Sequence, residues 1–109
     1  MSYRLKTIPP FDNELKKLSK KYKSLSEDYI AFLDEIEENP FIGGNALGKD
    51  CYKIRLAIKS KGRGKSGGAR VIACIKIIQS TVYLLSIYDK SDMDTISDEE
   101  LKARLKEIK

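Results

Sequence analysis

Apolar and polar residues alternate from Tyr52 to Lys59: Tyr52, Ile54, Leu56 and Ile58 stand against Lys53, Arg55, Ala57 and Lys59. A two-residue period of this kind predicts a strand with one core face and one cationic face. Ala69 to Ile78 is a β-branched run, apolar on both faces apart from Arg70 and Lys76, and predicts a central strand. Gln79-Ser80-Thr81 turns the chain into a further strand over Val82 to Tyr88, and Tyr3 to Ile8 alternates as a short first strand closed by Pro9-Pro10. Between these the period lengthens. Phe11, Leu15, Leu18 and Tyr22 form one stripe at helical spacing, with Lys16, Lys17, Lys20 and Lys21 around it. A second helix is predicted from Ser26 as N-cap, with Leu25 stapled onto Ile30, an apolar face of Tyr29, Phe32, Leu33 and Ile36, and a stop at Asn39-Pro40. A Gly-containing loop, Phe41 to Gly48, leads out of this helical hairpin. Ser97 and Glu100 form a capping box for a last helix carrying Leu101, Leu105 and Ile108. The order β-α-α-β-β-β-α, with sequential hairpins, predicts an α+β fold. Its antiparallel sheet should carry helices on one face and leave the second partly free.

The chain has 109 residues, 41% of them hydrophobic and 34% charged, which fits one domain over 1–109 with a real core under an ionic surface. No apolar run approaches the length of a membrane span, and the first ten residues carry no signal-peptide pattern, so a cytoplasmic location is expected. Cys51 and Cys74 lack metal-site or redox-motif spacing and are expected as buried free thiols. The net charge is +5, and its distribution says more than its size. Between Lys49 and Lys76 the cations are Lys49, Lys53, Arg55, Lys59, Lys61, Arg63, Lys65, Arg70 and Lys76, with Asp50 the one acid among them. The acids collect in Glu27 to Glu38 and Asp89 to Glu100. That segregation predicts an electropositive face suited to a polyphosphate.

The absence of histidine excludes His-based triads, the His acid–base pair of many ribonucleases and His-ligated metal sites; with two lone cysteines, no metal site or cofactor is expected. Gly64-Lys65-Ser66 invites a phosphate-loop reading, but Lys59 stands where the motif needs its first glycine, and the loop precedes a strand. What remains is a group of cations and tyrosines on the sheet. Lys53 and Arg55 project from one strand face about 7 Å apart. Arg70 opens the neighbouring strand, and Tyr88 and Lys90 end the third. Arginine can stabilise charge developing on a phosphoryl oxygen, and crowded cations can make a lysine basic enough to take a proton. RNA cleavage by its own 2′-hydroxyl needs little else beyond in-line positioning. The same residues also read as a solvated strand face, and Lys59 to Lys65 as a solubilising hairpin tip. Arg70 resists that reading, since its strand is otherwise apolar.

Cys51-Tyr52-Lys53-Ile54-Arg55-Leu56, then a basic loop, then Gly67-Gly68-Ala69-Arg70-Val71-Ile72, then Val82 to Ser91 together resemble the strand motifs of RelE/ParE-superfamily toxins of type II toxin–antitoxin systems. The helical hairpin ending in Asn39-Pro40 and the following Leu47-Gly48 extend the likeness over nearly the whole chain, and Lys65 to Arg70 is most similar to the HigB-like branch. The resemblance implies the compact RelE-like fold and a ribosome-dependent mRNA endoribonuclease, or mRNA interferase. It implies cleavage in the ribosomal A site by 2′-hydroxyl attack that leaves a cyclic phosphate. By position, Lys53 and Arg55 correspond to the basic pair that handles the scissile phosphate, one of them the candidate base. Arg70 corresponds to the arginine that stabilises the transition state, and Lys90 falls near a second arginine that helps protonate the leaving group. Lys59, Lys61, Arg63, Lys65 and Lys76 are the cations expected along the RNA, with Tyr88 as a base-stacking ring. The catalytic tyrosine of the best-known members has no counterpart in Asp92-Met93-Asp94-Thr95-Ile96, and lysine replaces arginine at position 90. The family also implies a cognate antitoxin, commonly of helix-turn-helix type, and no direct DNA binding by the toxin. A ParE-like gyrase poison and a non-catalytic RNA- or ribosome-binding module are the competing readings.

Overall fold

The computed structural model describes residues 2–41, 44–62 and 64–108, with Lys65 and Ser66 described in backbone only. Arg4–Thr7 forms β1, followed by helices α1 (Pro9–Lys21) and α2 (Leu25–Glu38). Then come β2 (Asn45–Gly48), β3 (Cys51–Leu56), a 3₁₀ turn at Lys59–Lys61, a single helical turn α3 (Gly64–Gly67), β4 (Ala69–Lys76), β5 (Thr81–Asp89) and α4 (Asp98–Leu105). The strands make one five-stranded sheet in the order β1-β5-β4-β3-β2. The class is α+β, and the sheet is mixed rather than antiparallel throughout. β2 to β5 pair antiparallel, but β1 runs parallel to β5 with Leu5 opposite Val82. Hairpin logic covers only strands joined by short turns. Two helices separate β1 from the rest, so sequence adjacency says nothing about the direction in which it docks.

The prolines after β1 open α1 at its first two positions, where a missing N–H costs no hydrogen bond. In α2 the N-cap is Ser24, not Ser26, and the Leu25–Ile30 staple does not form. Leu25 is already helical and buried, and five residues at about 100° each turn Ile30 to the solvent side, 61% exposed. Within the span read as loop, Asn45–Gly48 is a short edge strand that lacks any alternation signal of its own and is held by β3. Gly48, Lys49 and Asp50, all at positive φ, make the tight turn between the two. β4 stops at Lys76, and Ile77 and Ile78 stand out in the turn to β5, Ile78 fully exposed. Apolar identity there prolongs the pattern but not the ladder.

One sheet face carries Ile54 and Leu56, Val71, Ala73 and Ile75, and Val82, Leu84 and Ile87, all buried with Phe11, Leu25, Phe32 and Ile36 from α1 and α2. The terminal helix lies on the opposite face, so the helices are split between the two faces rather than gathered on one. Leu101 and Ile96 are its buried anchors, and Ser97 caps it by accepting from the Glu100 amide at 3.1 Å. β1 pairs with β5 only as far as Leu84. Beyond it, side chains take over the edge: Glu14 accepts from the Ile87 amide at 3.3 Å, and Arg104 donates to the Leu85 carbonyl at 2.7 Å. Arg104 also forks onto Glu14 at 2.9 and 3.0 Å, which fastens α4 to α1. Cys51 and Cys74 face each other across β3 and β4, both buried and both free thiols.

Candidate active site

The phase of the β3–β4 ladder decides how its side chains meet. Ile75 N donates to Asp50 O at 2.8 Å, so Cys51–Cys74 is a non-hydrogen-bonded pair, and every second rung from it is another. Arg55–Arg70 is such a rung, the type with the closest side-chain approach, Cα atoms about 4.5 Å apart. On the other side of β4, Arg70 is opposite Tyr88 of β5. Arg55, Arg70 and Tyr88 therefore form one row across three strands. Lys53 stands two rungs along on the same face, and Lys90 follows Tyr88 by two residues, its amide donating to Gly68 O at 3.1 Å.

Two like charges directly opposite each other destabilise a sheet. Burial and then the Arg55 charge push the Arg70 guanidinium below its ordinary value, against a pull upward from Tyr88 and Asp94. A negatively charged group set between the two arginines would relieve that repulsion. The row's members differ in access. Arg55 and Lys90 are exposed and Lys53 is half-buried, whereas Arg70 is 5% and Tyr88 7% exposed. Arg70 Nη1 donates to the Ala69 carbonyl at 3.1 Å. Residues 91–95 lie over the row: Lys53 Nζ and Tyr88 OH both donate to the Asp94 carbonyl, at 3.4 and 3.3 Å.

The row's end is held by a buried carboxylate that the sequence pattern did not single out. Asp89 accepts from Tyr22 OH, from Lys61 Nζ at 2.5 Å and from the Ser91 amide at 2.9 Å, with Lys21 at 3.6 Å. Burial opposes its ionisation, but the donors from Lys61, Tyr22 and Ser91 win and hold its carboxyl well below the usual range. Lys61 also donates to Gly67 O and Ser91 Oγ, each at 2.8 Å. One ion pair thus fixes the residues leading into Arg70 and those following Lys90. Gly68 is needed at the same point, because a Cβ there would sit 2.2 Å from the Leu56 carbonyl oxygen.

The expected RNA-contacting cations separate. Lys59 is exposed, its amide bonded to Asp28 of α2, but Lys61, its side chain 11% exposed, is committed to Asp89 and is not free to meet a ligand. Lys76 pairs with Asp50 at 3.3 Å, six residues from Arg70 along β4 and so about 20 Å away. Arg63 and the side chain of Lys65 lie outside the described residues. The Tyr88 ring is buried, so what it offers the site is a hydroxyl rather than a face for base stacking. Asp89 could have been found in the sequence as the acid ending an otherwise apolar strand. No local signal marks the fold-back of Asp94.

The family described as RelE toxin of the RelE / RelB toxin-antitoxin system matches residues 17–109. The chain is similar in structure to a mutant of the Escherichia coli toxin RelE in the free state, with 22% identity, all of both chains covered and a TM-score of 0.64. It is similar to a chain of the intact E. coli RelBE toxin–antitoxin complex, with 26% identity, 81% of this chain and 96% of that one covered and a TM-score of 0.61. A chain of the Mycobacterium tuberculosis RelBE2 toxin–antitoxin complex matches at 18% identity over 82% of this chain and 99% of its own, TM-score 0.62. With the fold agreeing, the match of the family over residues 17–109 shows that this chain belongs to the RelE family of toxins of toxin–antitoxin systems.

Proposed function

We propose that this RelE-family toxin is an mRNA endoribonuclease of the HigB-like branch, acting on the ribosome as a single domain. The observation that carries the reading is the cross-strand row of Arg55, Arg70 and Tyr88 with Lys53 beside it, a group of donors and cations of the kind a phosphodiester needs. The 2′-oxygen of the substrate attacks phosphorus; the O2′–P bond forms, the P–O5′ bond breaks, and the products are a cyclic phosphate and a 5′-hydroxyl. Arg70 and Arg55 stabilise the charge gathering on the non-bridging oxygens. Lys53 and Lys90, the amines on this face, carry the two protons, one taken from the 2′-hydroxyl and one given to O5′. In-line positioning supplies much of the rate. A cognate antitoxin that covers the basic face silences the toxin, as the toxin–antitoxin complexes among its structural relatives support.

Brief expression in bacteria with mapping of new 5′ ends tests this. Cuts confined to translated message and lost in Arg70→Ala are expected, with the fold intact. Cuts that persist in Arg70→Ala refute the assignment of the site. Growth arrest with DNA damage and no cuts refutes the nuclease and favours a gyrase poison.

A further inference from the structure

Tyr88 OH and Lys53 Nζ converge on a single oxygen, the Asp94 carbonyl, at 3.3 and 3.4 Å. The Asp94 charge also acts on Arg70 and Tyr88, so one residue of the covering segment presents an acceptor oxygen and a negative charge to three members of the site. The segment itself is built to be exchanged. Residues 91–95 are exposed and belong to no helix or strand. They are held at one end by turn bonds from the Asp92 and Met93 amides to the Asp89 carbonyl and at the other by buried Ile96 and the Ser97 cap. Arg70 and Tyr88 are buried, and the Tyr88 hydroxyl is already engaged by this segment, so it meets a new acceptor only when the segment shifts. A phosphoryl oxygen carries charge and accepts about twice as strongly as a neutral carbonyl. It therefore outcompetes the Asp94 oxygen for the same donors.

We propose that Tyr88 is a further catalytic residue: its hydroxyl donates to a non-bridging oxygen of the scissile phosphate, at the place that the Asp94 carbonyl holds in the free protein. The inference rests on the endoribonuclease reading but adds a residue and an exchange that the reading does not require. Burial lifts the Tyr88 phenol above its ordinary value, against pulls downward from Thr95 and Arg70, so it meets the phosphate as an O–H donor at neutral pH. The buried ring places that hydroxyl rigidly, and its register opposite Arg70 sets both groups on the same phosphate.

Tyr88→Phe removes one oxygen and keeps the ring. With purified protein and programmed ribosomes, single-turnover cleavage is expected to fall at least about 10-fold, as for loss of one transition-state donor. Half-saturation should change less. Affinity for the same message with a 2′-deoxy nucleotide at the cut site, which cannot react, is expected to fall about 5-fold. Unchanged or faster cleavage by Tyr88→Phe overturns the proposal, since a tyrosine that merely latches the segment releases the site when removed. The enzyme reading is judged separately by wild type and Arg70→Ala. If wild type does not cut, the 2′-deoxy affinity still decides whether Tyr88 meets phosphate, an unchanged value overturning it. On unsubstituted protein, titration with a short RNA carrying one 2′-deoxy nucleotide should shift the Thr95 amide resonance, which shares a peptide unit with the Asp94 carbonyl. A Thr95 resonance that stays put while the Arg70 amide moves overturns the exchange.

Discussion

Asp89→Asn removes a charge from the best-enclosed ion pair described, and its cost can be worked from the contacts. The Asp89 carboxylate is fully buried and the Lys61 side chain 11% exposed, so neither charge has much water to return to. Breaking a buried pair from one side typically costs 3–5 kcal/mol. Lys61 keeps Gly67 O and Ser91 Oγ as acceptors, which places this site near the lower end, about 3 kcal/mol. With an unfolding entropy of about 2.1 cal/mol/K per residue over 109 residues, Tm should fall by about 13 °C. In urea, with m about 1.5 kcal/mol/M, the midpoint should fall by about 2 M at unchanged slope. The pH dependence follows from the lowered carboxyl pKa. The unfolded chain takes up the proton first, at about pH 4, so the stability from Asp89 is full above that value. It is lost as pH falls towards the depressed folded-state value, and the gap between wild type and Asp89→Asn closes in acid. Lys61→Met combined with Asp89→Asn should recover part of the loss, because no uncompensated charge then remains. A variant within about 0.5 kcal/mol of wild type at pH 7, or a gap that stays constant to pH 2.5, refutes the reasoning.

Gly68→Ala forces a Cβ to 2.2 Å from the Leu56 carbonyl, so the chain must give way at the Leu56–Ala69 end of the β3–β4 ladder. A loss of at least about 3 kcal/mol in urea unfolding is expected. Gly62→Ala, at φ 72° with open space around it, should cost only about 1 kcal/mol. Arg104→Met leaves the Leu85 carbonyl without this donor at the β5 edge, removes the fork onto Glu14, and should release α4 before the core. Amide exchange over Asp98–Leu105 is expected to accelerate at least about 10-fold while β4 keeps its protection. Loss of protection everywhere by the same factor would show that α4 does not open on its own.

Periodicity and family likeness together carried much of this protein. A period of two placed β3, a β-branched run apolar on both faces placed β4, and a period near 3.6 placed both helices of the hairpin, because burial on one face or on both leaves its mark along the chain. Lys53, Arg55 and Arg70 were legible for the same reason, as charges in otherwise apolar or alternating strands. Three things were not. The parallel docking of β1 and the edge strand β2 depend on partners distant in the chain and leave no local pattern. Register brought separate residues together, setting Arg55 against Arg70 against Tyr88 while leaving Lys76 some six residues down the strand. Lys61 looks like any loop cation until the fold buries it against Asp89, and Asp94 looks like a surface acid until its carbonyl lies on the row. Sequence reports which face of an element is buried, since that choice repeats along the chain. Which charges meet is decided once, by contacts between residues far apart, and only the tertiary structure records it.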